Sequence, residues 1–220
     1  YDGLHFGTLP YLSQTFAPAN FRYYDNDALK KEMNTYVKWE RKLTKQFKSF
    51  IDLQYRFVNH QMNGFTKNTD LEIERKFNFF NPKVGASFKL NSNQTLFLNG
   101  GISHREPVRA DFIASTAENR PTFETLQDVE FGHHINTSRF SLTTNLYYMN
   151  YQNQLLLTGE INDVGAYIHT NVAKSYRMGV ELYGSYRFDK KLKMTGGITL
   201  SQNKIPQFNE YVDVYLDTLP

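Results

Sequence analysis

The sequence contains no cysteine. This absence excludes disulfides, thiolate metal sites and cysteine nucleophiles. No apolar run approaches the roughly 20 residues that a transmembrane helix needs. Tryptophan occurs once, whereas the 220 residues include 18 phenylalanines and 15 tyrosines. Because aromatic residues favour strands, and only 40% of the residues are hydrophobic, the composition predicts a β-rich protein without a large aliphatic core.

The chain also lacks a dominant charge. Lysine and arginine together number 25 and the acidic residues 22, so the net charge is +3. No dense basic block is present, which argues against a nucleic-acid partner. The chain starts at Tyr1 without a signal-peptide pattern and ends in a loop-like Leu-Asp-Thr-Leu-Pro. We therefore expect a piece of a longer protein that lacks both ends of its parent.

What the sequence does contain is alternation of apolar and polar residues with period two, the pattern of strands. In 176–188 the even positions are mostly apolar and the odd positions mostly polar, and 192–200 repeats the pattern. We predict that these even positions face lipid and the odd positions face a lumen. The same pattern predicts eight strands of about ten residues, at 36–43, 49–57, 83–90, 94–103, 127–135, 140–148, 176–188 and 192–200.

The connections alternate between short and long. Tight turns are predicted around 44–46, 91–94, 136–138 and 189–191, and Asn, Asp and Ser are residues that suit such turns. Long connections are predicted at 59–77, 104–126 and 151–175. Within the last of these, 154–158 and 167–172 could pair as a further hairpin across Gly159 and Gly165. Residues 27–32 could form one helical turn capped by Asp27.

A polar face with several charges per hairpin cannot pack against a second sheet, yet the apolar face must be buried. A membrane barrel solves this by turning the apolar face to lipid, with tight turns on one rim and long loops on the other. The predicted fold class is therefore all-β, an antiparallel transmembrane β-barrel segment. Because an open piece would leave two unpaired edges, we expect residues 36–43 not to pair with 192–200.

At residues 105–188 the sequence resembles a known family. Arg105-Glu-Pro-Val-Arg109 is followed by Arg120-Pro121 and by Glu124-Thr-Leu-Gln-Asp-Val-Glu-Phe-Gly132. Further motifs follow in order: Asn145-Leu-Tyr-Tyr-Met-Asn-Tyr-Gln-Asn-Gln-Leu155, Gly159-Glu-Ile-Asn-Asp-Val-Gly165, Asn171-Val172 and Ser175-Tyr-Arg-Met-Gly-Val-Glu181. This order is similar to the C-terminal half of the barrel in TonB-dependent outer-membrane receptors, notably those of the Bacteroides group.

The resemblance implies about eight strands of a 22-stranded barrel in the bacterial outer membrane. Residues 1–220 would then form part of one receptor barrel domain, with the plug domain and the closing strands absent. The implied partners are outer-membrane lipid, the receptor's own plug domain and remaining strands, the TonB energy complex acting through the missing plug, and a transported ligand.

The candidate cargo-binding residues share one long connection. Arg105, Arg109 and Arg120 lie in 104–126, with His104 at its root. Guanidinium groups bind carboxylate and catecholate oxygens well, and ferric siderophores are often anionic. The alternative is pairing of these arginines with carboxylates of the same loop, which are Glu106, Asp111, Glu118 and Glu124.

No motif predicts an enzyme or a cofactor. Asp128 and Glu130 lie two apart on one strand face, and we interpret them as an acidic wall facing the plug. His133 and His134 are adjacent, so alternation sends them to opposite faces and no metal site is expected.

The predicted function is uptake of a scarce nutrient such as an iron–siderophore or a similar metal chelate. Three alternatives stay open. The first is a receptor of the same type for glycan or cobalamin; an aromatic platform of Phe21, Tyr23 and Tyr24 would favour sugar. The second is a non-transporting adhesin or structural barrel. The third is a soluble carbohydrate-binding β-sandwich.

Overall fold

The computed structural model describes residues 2–9, 21–64, 72–115, 120–161 and 167–209, with side chains for all of these except 2–9, 21–26, 158 and 160. The side chains of the suggested aromatic platform therefore lie outside the described part. The strands are β1 (Asp2–Leu9), β2 (Phe21–Lys42), β3 (Phe47–Asn63), β4 (Ile73–Lys89), β5 (Gln94–Arg105), β6 (Glu124–Asn136), β7 (Phe140–Ile161), β8 (Tyr167–Arg187) and β9 (Lys193–Lys204). The helix α1 spans Arg109–Ala114. In the described part of the chain, no helix is long and apolar enough to cross a membrane.

All strands form one antiparallel sheet in sequence order, from β1 to β9. Each neighbouring pair is antiparallel, so the topology is a simple meander. The predicted all-β antiparallel fold is confirmed. The eight predicted strands correspond to β2–β9, and β1 is an additional strand that the alternation did not reveal. Within the described residues, 36–43 does not pair with 192–200, so the sheet is open, as expected.

The register separates the two faces of the sheet. One row of directly paired residues runs Ala86, Leu98, Phe131, Leu146, Val180, Leu200. The adjacent row on the opposite face runs Gly85, Asn99, Glu130, Tyr147, Gly179, Ser201. We call the face of the first row the outer face and that of the second the inner face. Ile198 and Leu200 on the outer face are 64% and 69% exposed, which a soluble sheet would not leave uncovered.

All four predicted tight turns are present, at one end of the sheet that we call the turn end. Each is fixed by a side chain that accepts backbone hydrogen bonds. Thr44 Oγ1 accepts from the N–H of Phe47 at 2.9 Å, and Asn91 Oδ1 from Asn93 at 2.9 Å. Thr137 Oγ1 accepts from Phe140 at 2.9 Å, and Asp189 Oδ1 from Lys191 at 2.6 Å. Because each of these bonds forms within its own turn, the local sequence was enough to predict the turns.

Aromatic rings of the inner face lie over glycines of the neighbouring strand. Phe50 pairs with Gly85, Phe97 with Gly132, and Tyr147 with Gly179. A Cβ atom built on each of these glycines would clash with the ring of its partner. Glycine is therefore required here for the rings to lie flat along the wall, and such pairs help fix strand register.

At the opposite end, the loop end, several strands extend beyond the predicted limits. β3 and β4 reach Asn63 and Ile73, into the connection predicted at 59–77. The suggested hairpin within 151–175 is confirmed, since 154–157 pairs with 169–172 and Gly159 adopts a positive φ of 85°. The suggested helical turn at Asp27 is wrong, because Asp27 to Glu32 is strand and pairs with β3.

Candidate functional site

The long connection after β5 folds back against the inner face at the loop end. Phe112 of α1 is fully buried and joins a cluster whose members all come from β2, β3 and β4. These members are Ala28, Val58, Met62, Ile73, Phe77 and Phe79, with Ile113 and Phe123 packed against them. The inner face is polar near the turn end and apolar here, because the returning loop covers it. This change of polarity within one face explains why alternation underestimated the lengths of β3 and β4.

A buried carboxylate anchors the start of this connection. Glu106 is 6% exposed and accepts hydrogen bonds from the two terminal nitrogens of Arg56, Nη1 at 2.6 Å and Nη2 at 2.7 Å. Lys30 Nζ lies 2.9 Å from the same carboxylate, and Arg56 Nε also binds Glu32 at 2.7 Å. Burial of the Glu106 carboxyl raises its pKa, but the hydrogen bonds from Arg56 and Lys30 outweigh this and lower the pKa to about 2. The group is therefore ionised at neutral pH.

Contacts to β8 hold the rest of the connection. Asp111 Oδ2 accepts the N–H of Val108 at 2.7 Å, and its Oδ1 lies 3.1 Å from His169 Nδ1. Asn171 accepts the N–H of Thr122 at 2.8 Å and donates to its carbonyl oxygen at 3.0 Å. The connection thus spans the inner face, with contacts to β2–β4 on one side and to β8 on the other.

Beside this connection, a groove opens on the inner face at the loop end of β5–β8. Its volume is about 370 Å³, and it is lined by Ser103, His104, Arg105, Glu124, Leu126, Tyr151, Gln154 and Arg177. The groove exists because paired strands bring these residues together: Ser103 pairs with Leu126, and Leu126 pairs with Tyr151. We call it the loop-end groove.

One predicted arginine lies in the loop-end groove beside a carboxylate. Arg105 Nη2 binds Glu124 Oε1 at 2.7 Å, and the same oxygen accepts the N–H of Leu155 at 2.6 Å. The Arg105 side chain is nevertheless 66% exposed. Pairing with Glu124, one of the alternatives considered from sequence, is thus present, and it orients a guanidinium whose remaining donors are accessible to a ligand.

His104 lines the same groove in a fixed orientation. Its ring stacks on Phe79 with centroids 5.3 Å apart, and its Nδ1 lies 2.8 Å from Asn81 Oδ1. Because Asn81 Oδ1 also accepts the backbone N–H of His104 at 3.1 Å, the histidine is held to β4 by both backbone and side chain.

The other two predicted residues lie elsewhere. Arg109, at the start of α1, lines a separate cavity of about 180 Å³ with Lys30, His60 and Glu106. Arg120 is exposed where the connection returns towards β6. The structure therefore brings His104 and Arg105 together, but does not gather the three arginines at one point. Glu118 lies outside the described residues.

Two groove residues were missed by sequence reasoning. The Arg177 guanidinium carbon lies 5.2 Å from the centroid of the Tyr151 ring, in cation–π geometry. Alternation along β7 and β8 places both residues on the polar face of the sheet. Only the pairing register of the strands shows that they lie together, beside Arg105 and Glu124. The alternation of side chains between the two faces is interrupted just beyond Tyr151, because Asn153 adopts a positive φ of 54°. Gln154 then accepts a hydrogen bond from Ser175 Oγ.

The polar groups that line the loop-end groove are suited to hydrogen bonding and to pairing with charges of either sign. Among the described residues, no group of three His, Cys, Asp or Glu side chains could hold a metal ion. Asp128 and Glu130 lie further towards the turn end on the inner face, where Glu130 pairs across from Tyr147. The charged groups of the loop-end groove are two arginines and one carboxylate, so its formal charge is positive.

The fold is that of a segment of an outer-membrane β-barrel wall, with a groove on its inner side. The family model described as "TonB dependent receptor-like, beta-barrel" matches residues 1–220. The chain therefore belongs to this family, whose members are located in the bacterial outer membrane and are receptors and transporters rather than enzymes. No curated protein shows a significant sequence match.

Solved structures share the fold at low sequence identity. The copper transporter OprC superposes with a TM-score of 0.70 at 15% identity, covering 84% of this chain and 30% of OprC. The siderophore receptor PiuA from Acinetobacter baumannii gives 0.69 at 16% identity, covering 86% and 27% of the two chains. The ferric-catecholate import receptor Fiu from E. coli K12 gives 0.62 at 17% identity, covering 87% and 30%. The chain thus spans about 30% of the length of these structures.

Proposed function

We propose that this chain is a wall segment of a receptor that takes up a scarce nutrient across the outer membrane, with an anionic metal chelate such as an iron–siderophore as cargo. The loop-end groove is the observation that carries the proposal. It lies on the inner face at the loop end, its charge is positive, and it exposes the Arg105 guanidinium. The copper, siderophore and ferric-catecholate titles of similar structures support a metal-containing cargo.

Four residues carry the proposed cargo recognition. Arg105 and His104 contact the cargo in the loop-end groove, whereas Arg109 and Arg120 add positive charge around it. Charges placed in this way raise the capture rate of an anion and make it depend on salt concentration.

We further infer that residues 1–220 are part of one barrel domain of about 22 strands. The similar structures are about three times as long as this chain, since 82–86% of this chain covers only 26–32% of theirs. The remaining length would supply the other strands, the plug domain and the segment that contacts the TonB complex. The motif order between 105 and 188 supports a position in the C-terminal half of a barrel of the Bacteroides-group type.

The test is uptake by cells that produce the full-length receptor. We expect accumulation of radioactive iron supplied as an anionic chelate, and we expect the change of Arg105, Arg109 and Arg120 to Gln to lower the affinity and the salt dependence. The change of Arg139 to Gln, at a tight turn, is the matched control. Uptake of cobalamin or an oligosaccharide in place of the chelate would reassign the cargo, and uptake of none of these would favour a non-transporting barrel.

A further inference from the structure

We infer that His60 makes the docking of the connection after β5 sensitive to pH: the neutral imidazole stabilises the docked connection, and a proton on His60 weakens the docking. This conformational device is independent of which cargo the receptor takes. Three observations carry the inference. They are the burial of His60 beneath the connection, the lack of a partner for its Nε2 atom, and the cations that surround it.

The connection covers His60 on the inner face at the loop end. The residue is 5% exposed. Its ring packs beside Phe112 of α1 and Phe77 of β4, with centroid distances of 6.2 and 6.4 Å. It also lines the cavity of about 180 Å³ that lies between β2, β3 and the start of the connection. Because the connection forms one side of this cavity, the imidazole becomes fully exposed to water only when the connection lifts from the wall.

The docked imidazole has no partner for an additional charge. Among the described residues, no hydrogen-bond partner reaches the buried Nε2 atom of His60, and no carboxylate forms an ion pair with the ring. Glu106 lines the same cavity, but its oxygens already bind Arg56 and Lys30. A protonated His60 would therefore be an unpaired charge within an apolar cluster, which is costly.

The charged groups around His60 also oppose protonation. The register places Lys30 of β2 and Arg75 of β4 directly beside it, one on each neighbouring strand. The other charged groups of the elements packed against it are Glu32, Arg56, Glu106, Arg109 and Asp111. The set contains four cations, and each of its three carboxylates is engaged in an ion pair with another residue.

These surroundings determine the sign of the pH dependence. Residue 60 lies beyond 49–57, the part of β3 that alternation predicts to cross the membrane. Burial, with the charge of Lys30 added, lowers the pKa of His60 in the docked state. When the connection lifts, the exposed ring should titrate near its ordinary pKa of about 6.5. The lifted state then binds the proton more tightly, so docking is most stable above about pH 6.5 and weakens as the pH falls towards the docked-state pKa.

The experiment measures amide hydrogen exchange of residues 109–115 in the full-length receptor. Each rate, divided by the intrinsic exchange rate at the same pH, gives the opening constant of the connection. In the wild type this constant should rise about tenfold between about pH 7.5 and pH 5.5, because opening takes up one proton. Glu106, with a pKa of about 2, stays ionised over this range and cannot cause the rise.

The change His60→Gln removes the titrating group, so its opening constant should not depend on pH over the same range. If His60→Gln no longer protects 109–115 at the upper pH, His60→Phe replaces it, since a phenyl ring fills similar space and does not titrate. A wild-type opening constant that does not change with pH would overturn the inference. A rise in the His60 variant as steep as in wild type would also overturn it.

The matched control is His169→Gln. His169 contacts the same connection, with Nδ1 3.1 Å from Asp111 Oδ1, but a proton on His169 attracts this carboxylate and cannot release it. The rise in the opening constant should therefore persist in His169→Gln. A rise that disappears in His169→Gln and persists in the His60 variant would assign the pH dependence to His169 and contradict the inference.

Discussion

Arg56 and Glu106, fifty residues apart in sequence, form a two-point ion pair with N–O distances of 2.6 and 2.7 Å. The pair ties the connection after β5 to the inner face of β3. It stands at the edge of the apolar cluster that contains Phe112. The connection is thus fixed against the wall rather than projecting from it.

Removal of this ion pair should loosen α1 without unfolding the sheet. The change Glu106→Gln leaves Arg56 and Lys30 partly buried without their main carboxylate. We expect the free energy of local unfolding of α1 to fall by about 2–3 kcal/mol. The loss is smaller than for a fully isolated ion pair, because Arg56 retains its ion pair with Glu32. Amide hydrogen exchange of 109–115 in the full-length receptor should then become at least roughly thirtyfold faster. Glu74→Gln, which alters an exposed pair with Lys76, is the control. Unchanged exchange in Glu106→Gln would show that Phe112 alone holds the connection.

Acid should release the same connection. The pKa of Glu106 is lowered from 4.5 to about 2 in the folded protein, so its stabilising contribution is complete above about pH 4.5 and is lost as the pH falls towards 2. Spin labels on the exposed positions Ala110 and Lys31 report the separation of α1 from β2. Their distance distribution should broaden over this pH window in wild type. A matching transition in Glu106→Gln would mean that another group causes it.

Because aromatic rings lie over some glycines and not over others, the change of glycine to alanine should reduce stability at some positions of the sheet and not at others. Gly132→Ala places Cβ against the Phe97 ring and should destabilise the full-length barrel by about 1–3 kcal/mol, the usual cost of overpacking. Gly196→Ala meets nothing within 4 Å and is the matched control. Urea unfolding and refolding in lipid vesicles measures both variants. Equal stabilities would show that the Phe97 ring moves aside freely.

Much of the fold could be predicted from local signals. The tight turns are encoded by residues such as Thr44 and Asp189, whose side chains bind their own turn, and the alternation in β8 and β9 gives the register directly. β1 could not be predicted in this way, because its residues show no clear alternation. The inward fold of the connection could not be predicted either, since it depends on Glu106 meeting Arg56 across a long sequence separation.

In the candidate site, too, some residues could be predicted from the local sequence and others only from long-range pairing. The motif at the root of the connection singled out Arg105 and His104, and the structure places both in the loop-end groove. It did not show that Arg109 belongs to a different cavity, because the backbone enters α1 at that residue. Nor did it identify Arg177 and Tyr151, which become neighbours only through the pairing of β7 with β8. The local sequence pattern therefore predicted the strands and the residues on one side of the groove. The residues on the other side could be identified only from the pairing of strands in the structure.

The two faces of this sheet should meet different solvents, lipid outside and water inside. The chain contains no cysteine, so single cysteines at 194–201 can carry a nitroxide label in a full-length receptor freed of any other cysteine and placed in lipid bilayers. We expect even positions such as Ile198 and Leu200 to be accessible to oxygen dissolved in lipid. Odd positions such as Thr199 and Ser201 should instead be accessible to a water-soluble nickel complex. Accessibility to both reagents without a period of two, or with the parity reversed, would contradict it.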